Sequence, residues 1–117
     1  MDTVTKQYIE TVKVSDIPWH RLTTTYGRAT DFPTELDVLW NMESIEVVDA
    51  AGEALAQNIE HQSTLWHATP FAMIFLLRIF KKAQEERAHN EVAQYLAEQL
   101  VELFTVIAEC IRDGLML

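Results

Sequence analysis

Residues 61–80 read HQSTLWHATPFAMIFLLRIF, and the second half of this stretch decides the fold. Thr69 followed by Pro70 is a strong helix start. A hydroxyl residue suits the cap, and proline at the first helical position lacks only an N–H that would have had no partner there. Phe71, Met73, Ile74, Phe75, Leu76, Leu77, Ile79 and Phe80 then leave no polar side for about three turns, with Arg78 the single interruption. A helix that is apolar all round lies at the centre of a bundle or in an oligomer interface. Residues 61–68 join this helix to an earlier helical pattern, so the stretch predicts a helix-turn-helix hairpin.

On the N-terminal side, the spacing predicts a helix over 44–62. Ile45, Val48, Leu55 and Ile59 share one face, with Glu46, Asp49, Glu53, Gln57 and Glu60 on the other. Like charges three or four apart repel, and Gly52 costs roughly 1 kcal/mol relative to alanine. Such a helix is held by packing or by something that binds the acidic stripe. An earlier helix over 31–43 starts at Asp31, with Pro33 in its first turn and Leu36, Leu39 and Trp40 as its apolar stripe. Residues 1–30 read as an irregular or short extended arm, because Val4, Ile9, Val12 and Val14 follow neither period. Trp19, Leu22 and Tyr26 tuck against the body, and Gly27 marks a turn.

On the C-terminal side the central helix spans 69–87. A turn near His89 and Asn90 follows, Asn90 caps a last helix over 90–113, and Gly114 ends it; one continuous helix is the competing reading. The fold class is therefore all-α: a single domain over 1–117, with four main helices in two antiparallel hairpins, packed HEAT-like or as an orthogonal or four-helix bundle, after an irregular arm.

Composition bounds function. A chain of 117 residues that is 49% apolar forms one domain with a real core. The longest apolar run is 71–77, far short of a membrane span. One cysteine, Cys110, excludes an internal disulfide; it reads as a buried thiol in a reducing, cytoplasmic setting. The net charge is −9, and no Lys or Arg occurs between Arg28 and Arg78. A surface without cations repels phosphate, which argues against nucleic acid and anionic membranes as partners. The plain account of this charge is solubility. The sharper account is a face, comprising Glu35, Asp37, Glu46, Asp49 and Glu53, that attracts a basic protein.

Two stretches resemble bacterial proteins of HEAT-repeat or armadillo-like fold. Trp19 precedes Tyr26-Gly27-Arg28-Ala29-Thr30-Asp31-Phe32-Pro33, and His61-Gln62-Ser63-Thr64-Leu65-Trp66-His67-Ala68-Thr69-Pro70-Phe71 follows. The likeness covers residues 19–80. Ser63 stands where the family pattern has glycine, and the pattern runs on into further repeats where this chain has one more helix. The resemblance implies a helical-hairpin module whose inner surface, lacking further repeats, is open to self-association. Separately, so few elements surround the apolar third helix that a homodimer burying part of the last two helices is expected. It implies protein binding only loosely, because a fold does not fix a function.

The residues with chemical potential gather in the turn: His61, Gln62, Trp66 and His67. Two imidazoles six apart across a turn do not make a zinc signature, and the plainer role is to satisfy loose backbone groups at the helix end. Ser63 and His67 lack the elbow and oxyanion loop of a hydrolase. Glu86 and His89 make a single Glu-x-x-His, without the second copy that a di-iron bundle needs. Trp40, Trp66, Phe71, Phe75 and Phe80 read as core more readily than as a ligand pocket. No catalytic residue, metal or cofactor is assigned. The leading reading is a non-catalytic interaction module, including an immunity- or inhibitor-type protein that caps a basic partner. The alternatives are a self-associating subunit and a small metal-dependent or hydrolytic enzyme using the His61–His67 turn.

Overall fold

A computed structural model describes residues 2–61, 64–65 and 67–115. Among the described residues the chain is mostly helical, with five α-helices and two short antiparallel strand pairs. Among the described residues no helix is long and apolar enough to cross a membrane.

The first helix is a correction to the irregular arm. α1 covers Thr3–Thr11, started by Asp2, whose carboxylate accepts the Thr5 N–H at 2.7 Å. It has no buried residue, so hydrophobic periodicity gives it no signature. Its C-terminal end is held from far along the chain. The Arg78 guanidinium donates to the carbonyls of Val12 at 2.6 Å and Ile9 at 2.7 Å. The one charge in the apolar run is therefore the clasp for the arm. Two 3-10 turns, Val14–Asp16 and Trp19–Arg21, follow, and then β1 (Thr23–Thr24) pairs with β2 (Gly27–Arg28). Gly27 closes this hairpin at φ 141°, a region closed to most side chains. Trp19 is buried and Leu22 partly buried, as expected, but Tyr26 at the hairpin tip is 67% exposed.

α2 spans Phe32–Asn41 and ends in a left-handed Met42, whose buried side chain holds a conformation that usually takes glycine. α3 spans Ile45–Ile59, three residues short of the predicted end. Its last turn is diverted by the arm. The Thr25 N–H donates to the Asn58 carbonyl, and the Thr24 hydroxyl donates to the Asn58 side chain. The chain then forms β3 (Glu60–His61), antiparallel to β4 (Thr64–Leu65).

α4 covers Thr69–Glu86, as Pro70 predicts. Thr69 is not the cap, however. Ala68 holds that position without a side-chain bond, while the Thr69 hydroxyl donates to the Ile59 carbonyl at 3.0 Å. Asn90 does cap α5 (Glu91–Leu115), its side-chain oxygen accepting the N–H groups of Val92 and Ala93. α5 continues through Gly114 instead of stopping there, so that glycine does not act as the expected terminator.

The core sits where α2, α3, α4 and α5 meet, and Leu39, Leu55, Ile59, Leu76, Leu96 and Val48 are its largest fully buried side chains. α4 lies against both α2 and α5, and α3 against the same two. Each of the four therefore has two helical neighbours. α4 is central but not enclosed. Its Ala72, Phe75, Leu76, Ile79 and Ala83 are buried, whereas Leu77 is 51% exposed and Phe71, Met73, Ile74 and Phe80 are partly buried. Trp40 is also no core residue: it is 45% exposed, with the Lys82 ammonium 4.5 Å from its ring. Cys110 is buried, as expected.

Candidate functional site: the acidic surface of α2 and α3

Asp37 on α2 and Glu46, Asp49 and Glu53 on α3 are exposed. α3 presents its three acids at steps of three and four, so they fall on one side of the helix. Among the described residues the salt bridges are Lys82–Glu86 and Arg112–Asp113, and none of these four acids takes part. Their bonds are to neutral groups: Asp37 accepts from the Asn41 amide, Glu53 from the Gln57 amide and Asp49 from the Tyr95 hydroxyl. The bond to Asp49 is the largest cause holding the Tyr95 phenol above its usual 10.0, followed by partial desolvation and the charges of Asp49, Glu102 and Glu53. The α3 acids therefore carry a negative potential that no salt bridge among the described residues cancels, whereas Asp37 shares a cavity lining with Arg78.

Glu35 does not belong to that outward face. On the helical wheel it lies about 40° from Leu39, at the edge of the stripe that α2 buries. It is half-buried, and its Oε2 is enclosed without a hydrogen-bond partner. Burial, with a smaller contribution from the Asp31 charge, raises its pKa from 4.5 to about 7. A carboxyl that keeps its proton in the folded state while the unfolded chain gives it up makes stability fall as pH rises from 4.5 to about 7, with no further change above. Glu35→Gln removes that loss. Allowing for solvent screening at a half-wet site, the variant is expected to be more stable by roughly 1 kcal/mol at pH 8 and unchanged near pH 4. Urea unfolding at the two pH values measures the difference, and an equal effect at both would show that Glu35 ionises normally.

Beside the acids lies a feature that the sequence did not disclose. A cavity of about 270 Å³ opens between α3 and α5 and runs inward to Leu39 and Leu76. Val48, Leu55, Leu96 and Leu100 form its apolar walls, and Asp49, Glu53, Tyr95 and Gln99 ring its mouth. Gly52 lines it too, and a Cβ built there would meet only Leu39 Cδ2, at 3.9 Å. The glycine is thus not required by close packing. The visible clue is its helix-breaking cost in the middle of α3, and nothing in the sequence singles out Tyr95. A second cavity, of about 280 Å³, lies beside Trp40 and is lined by both Asp37 and Arg78, so its charge is balanced.

His67 is exposed, and its Nδ1 lies 3.0 Å from the Thr23 hydroxyl, which ties the linker to β1 beside the Ala68 N–H to Thr23 carbonyl bond. Gln62, Ser63 and Trp66 lie outside the described residues, and of His61 only the backbone, paired with Thr64, is described. Among the described residues no three His, Cys, Asp or Glu side chains gather as a metal site. No family model, curated protein or solved structure matches the chain.

Proposed function

We propose that the protein is a non-catalytic interaction module whose α2–α3 surface binds a basic partner protein. The observation that carries this reading is the charge of Glu46, Asp49 and Glu53, exposed on α3 without a salt bridge in a stretch with no Lys or Arg between Arg28 and Arg78. In the free protein these carboxylates repel one another. A lysine- or arginine-rich surface removes that repulsion and is steered towards it over several ångströms. Capping of a basic partner by an immunity- or inhibitor-type protein is one form this takes. The neighbour relations support reading the four main helices as two stacked hairpins, α2–α3 and α4–α5, of HEAT-like or bundle packing. Capture from an extract of the native cells, at about 50 and 500 mM salt, tests the charge mechanism, since screening shortens from above 10 Å to a few ångströms between them. Basic proteins should dominate the captured set and be released at the higher salt. Capture that shows no basic excess, or that ignores salt, contradicts the reading.

A second reading rests on a different surface. Leu77 of α4 and Val101 and Ile111 of α5 are exposed, and Phe80 meets Phe104 edge-on at 5.6 Å between the two helices. These exposed apolar side chains favour a homodimer formed through α4 and α5. Light scattering at high protein concentration decides it: a dimer mass supports self-association, and a monomer mass removes it.

A further inference from the structure

The geometry points to the α3–α5 cavity as an anchor site that takes one large apolar side chain, aromatic or leucine-sized, from a lysine- or arginine-rich segment of a partner protein. This inference rests on the acidic-surface reading and adds to it the feature that fixes where the partner sits.

The cavity and the charge are independent observations that converge. The cavity is apolar, extends to fully buried Leu39 and Leu76, and at about 270 Å³ exceeds the roughly 150 Å³ that accommodates a benzene ring. Gly52 keeps it open. Alanine would fit the helix better and meets nothing closer than 3.9 Å, so the glycine maintains a space and not a contact. A permanently open apolar space inside a small domain is destabilising by itself, and a side chain inserted from outside would fill it.

The mouth specifies what flanks that side chain. Asp49 and Glu53 stand on its α3 edge, and the Tyr95 hydroxyl from α5 donates to Asp49 and holds that carboxylate at the rim. A group entering here passes between carboxylates, which select a cationic neighbour and reject an anionic one. The row of acids extends past the mouth. Glu46 to Glu53 covers about 10 Å along the helix, further than a single ammonium can serve. A peptide segment with several cations matches the row, and one buried side chain surrounded by a charged rim is the usual arrangement of an energetic anchor.

Two synthetic probes test the inference: an acetylated peptide with four lysines on either side of a central phenylalanine, and the same peptide with alanine at the centre. Both are titrated by fluorescence anisotropy into the natural protein and into Gly52→Leu, which fills the cavity from α3. The phenylalanine peptide is expected to bind the natural protein at least tenfold more tightly than the alanine peptide, and Gly52→Leu should erase that advantage while leaving the alanine peptide's affinity unchanged. Should Gly52→Leu not fold, Gly52→Ala, which has room for its methyl group, should narrow the same advantage. Equal, salt-sensitive binding of both peptides to the natural protein would overturn the anchor and leave the acidic-surface reading standing. A phenylalanine advantage that survives filling of the cavity would also overturn the anchor. Binding by neither peptide at low salt would overturn both.

Discussion

Trp19→Ala is expected to lower the free energy of unfolding by about 3–5 kcal/mol. Trp19 is 4% exposed, and its ring centroid lies 5.6 Å from that of Phe32 on α2 and 5.9 Å from that of Phe75 on α4. Its indole N–H donates to the Val14 carbonyl at 2.8 Å. One side chain thus joins the arm to two of the four core helices. Truncation removes the largest buried surface a residue can supply, leaves a cavity and leaves the Val14 carbonyl with only the longer bond from the Ile17 N–H, at 3.3 Å. Since small domains are stable by only about 5–15 kcal/mol, the variant is expected to unfold at much lower urea concentration and near physiological temperature. Trp19→Phe separates the contributions. It keeps most of the packing and loses the hydrogen bond, so it should cost about 1–2 kcal/mol. A loss below about 1 kcal/mol for Trp19→Ala would mean that the arm does not pack against α2 and α4 as described.

Arg78→Met is expected to release α1. The helix buries no side chain of its own, and the guanidinium bonds to the Ile9 and Val12 carbonyls tie its end to the body. Hydrogen bonds from a charged donor contribute about 1.5–3 kcal/mol each, and the same guanidinium lies 5.0 Å from the Phe75 ring centroid. An isolated helix of this length is marginal in water, so without the clasp residues 3–11 should lose their protection. Methionine keeps the stem in its apolar setting, which confines the effect to the lost bonds. Hydrogen exchange read residue by residue is the measurement. Amides of α1 should exchange as in a free peptide while those of α4 and α5 stay protected. Retained protection in α1 would show that other contacts hold it.

These two residues also mark what was legible in the sequence. Trp19 was read correctly as tucked against the body, because a large aromatic after Pro18 has few other fates in a small domain. Arg78 was read only as an interruption, because its partners lie 66 and 69 positions away. The same division runs through the rest of the fold. The caps at Asp2 and Asn90 are local, and Asn90 was found from its side chain alone. The C-terminal end of α3 and the role of Thr69 depend on bonds to Asn58 and Ile59 from other elements, which local capping rules do not see. Within the acidic set, Asp37, Glu46, Asp49 and Glu53 came out exposed because charge and helical phase agree. Glu35 was misassigned because its phase places it at the edge of a buried stripe, where charge alone does not say which way it leans. The cavity needed Gly52 and Tyr95 to be brought together from helices far apart in sequence, and only the cost of the glycine hinted at it.

The central claim is that the carboxylates of α2 and α3 exist for contact with a basic partner and not for the protein's own folding. The most direct measurement combines partner capture with thermal unfolding of the variant D37N/E46Q/D49N/E53Q. The amide oxygens can keep the bonds that Asn41, Tyr95 and Gln57 donate, so relieving the repulsion should keep or slightly raise the melting temperature, by a few tenths of a kcal/mol per relieved pair. Affinity for the captured basic partner should fall at least tenfold, which corresponds to about 1.4 kcal/mol. A folded variant that captures the partner undiminished would contradict the account.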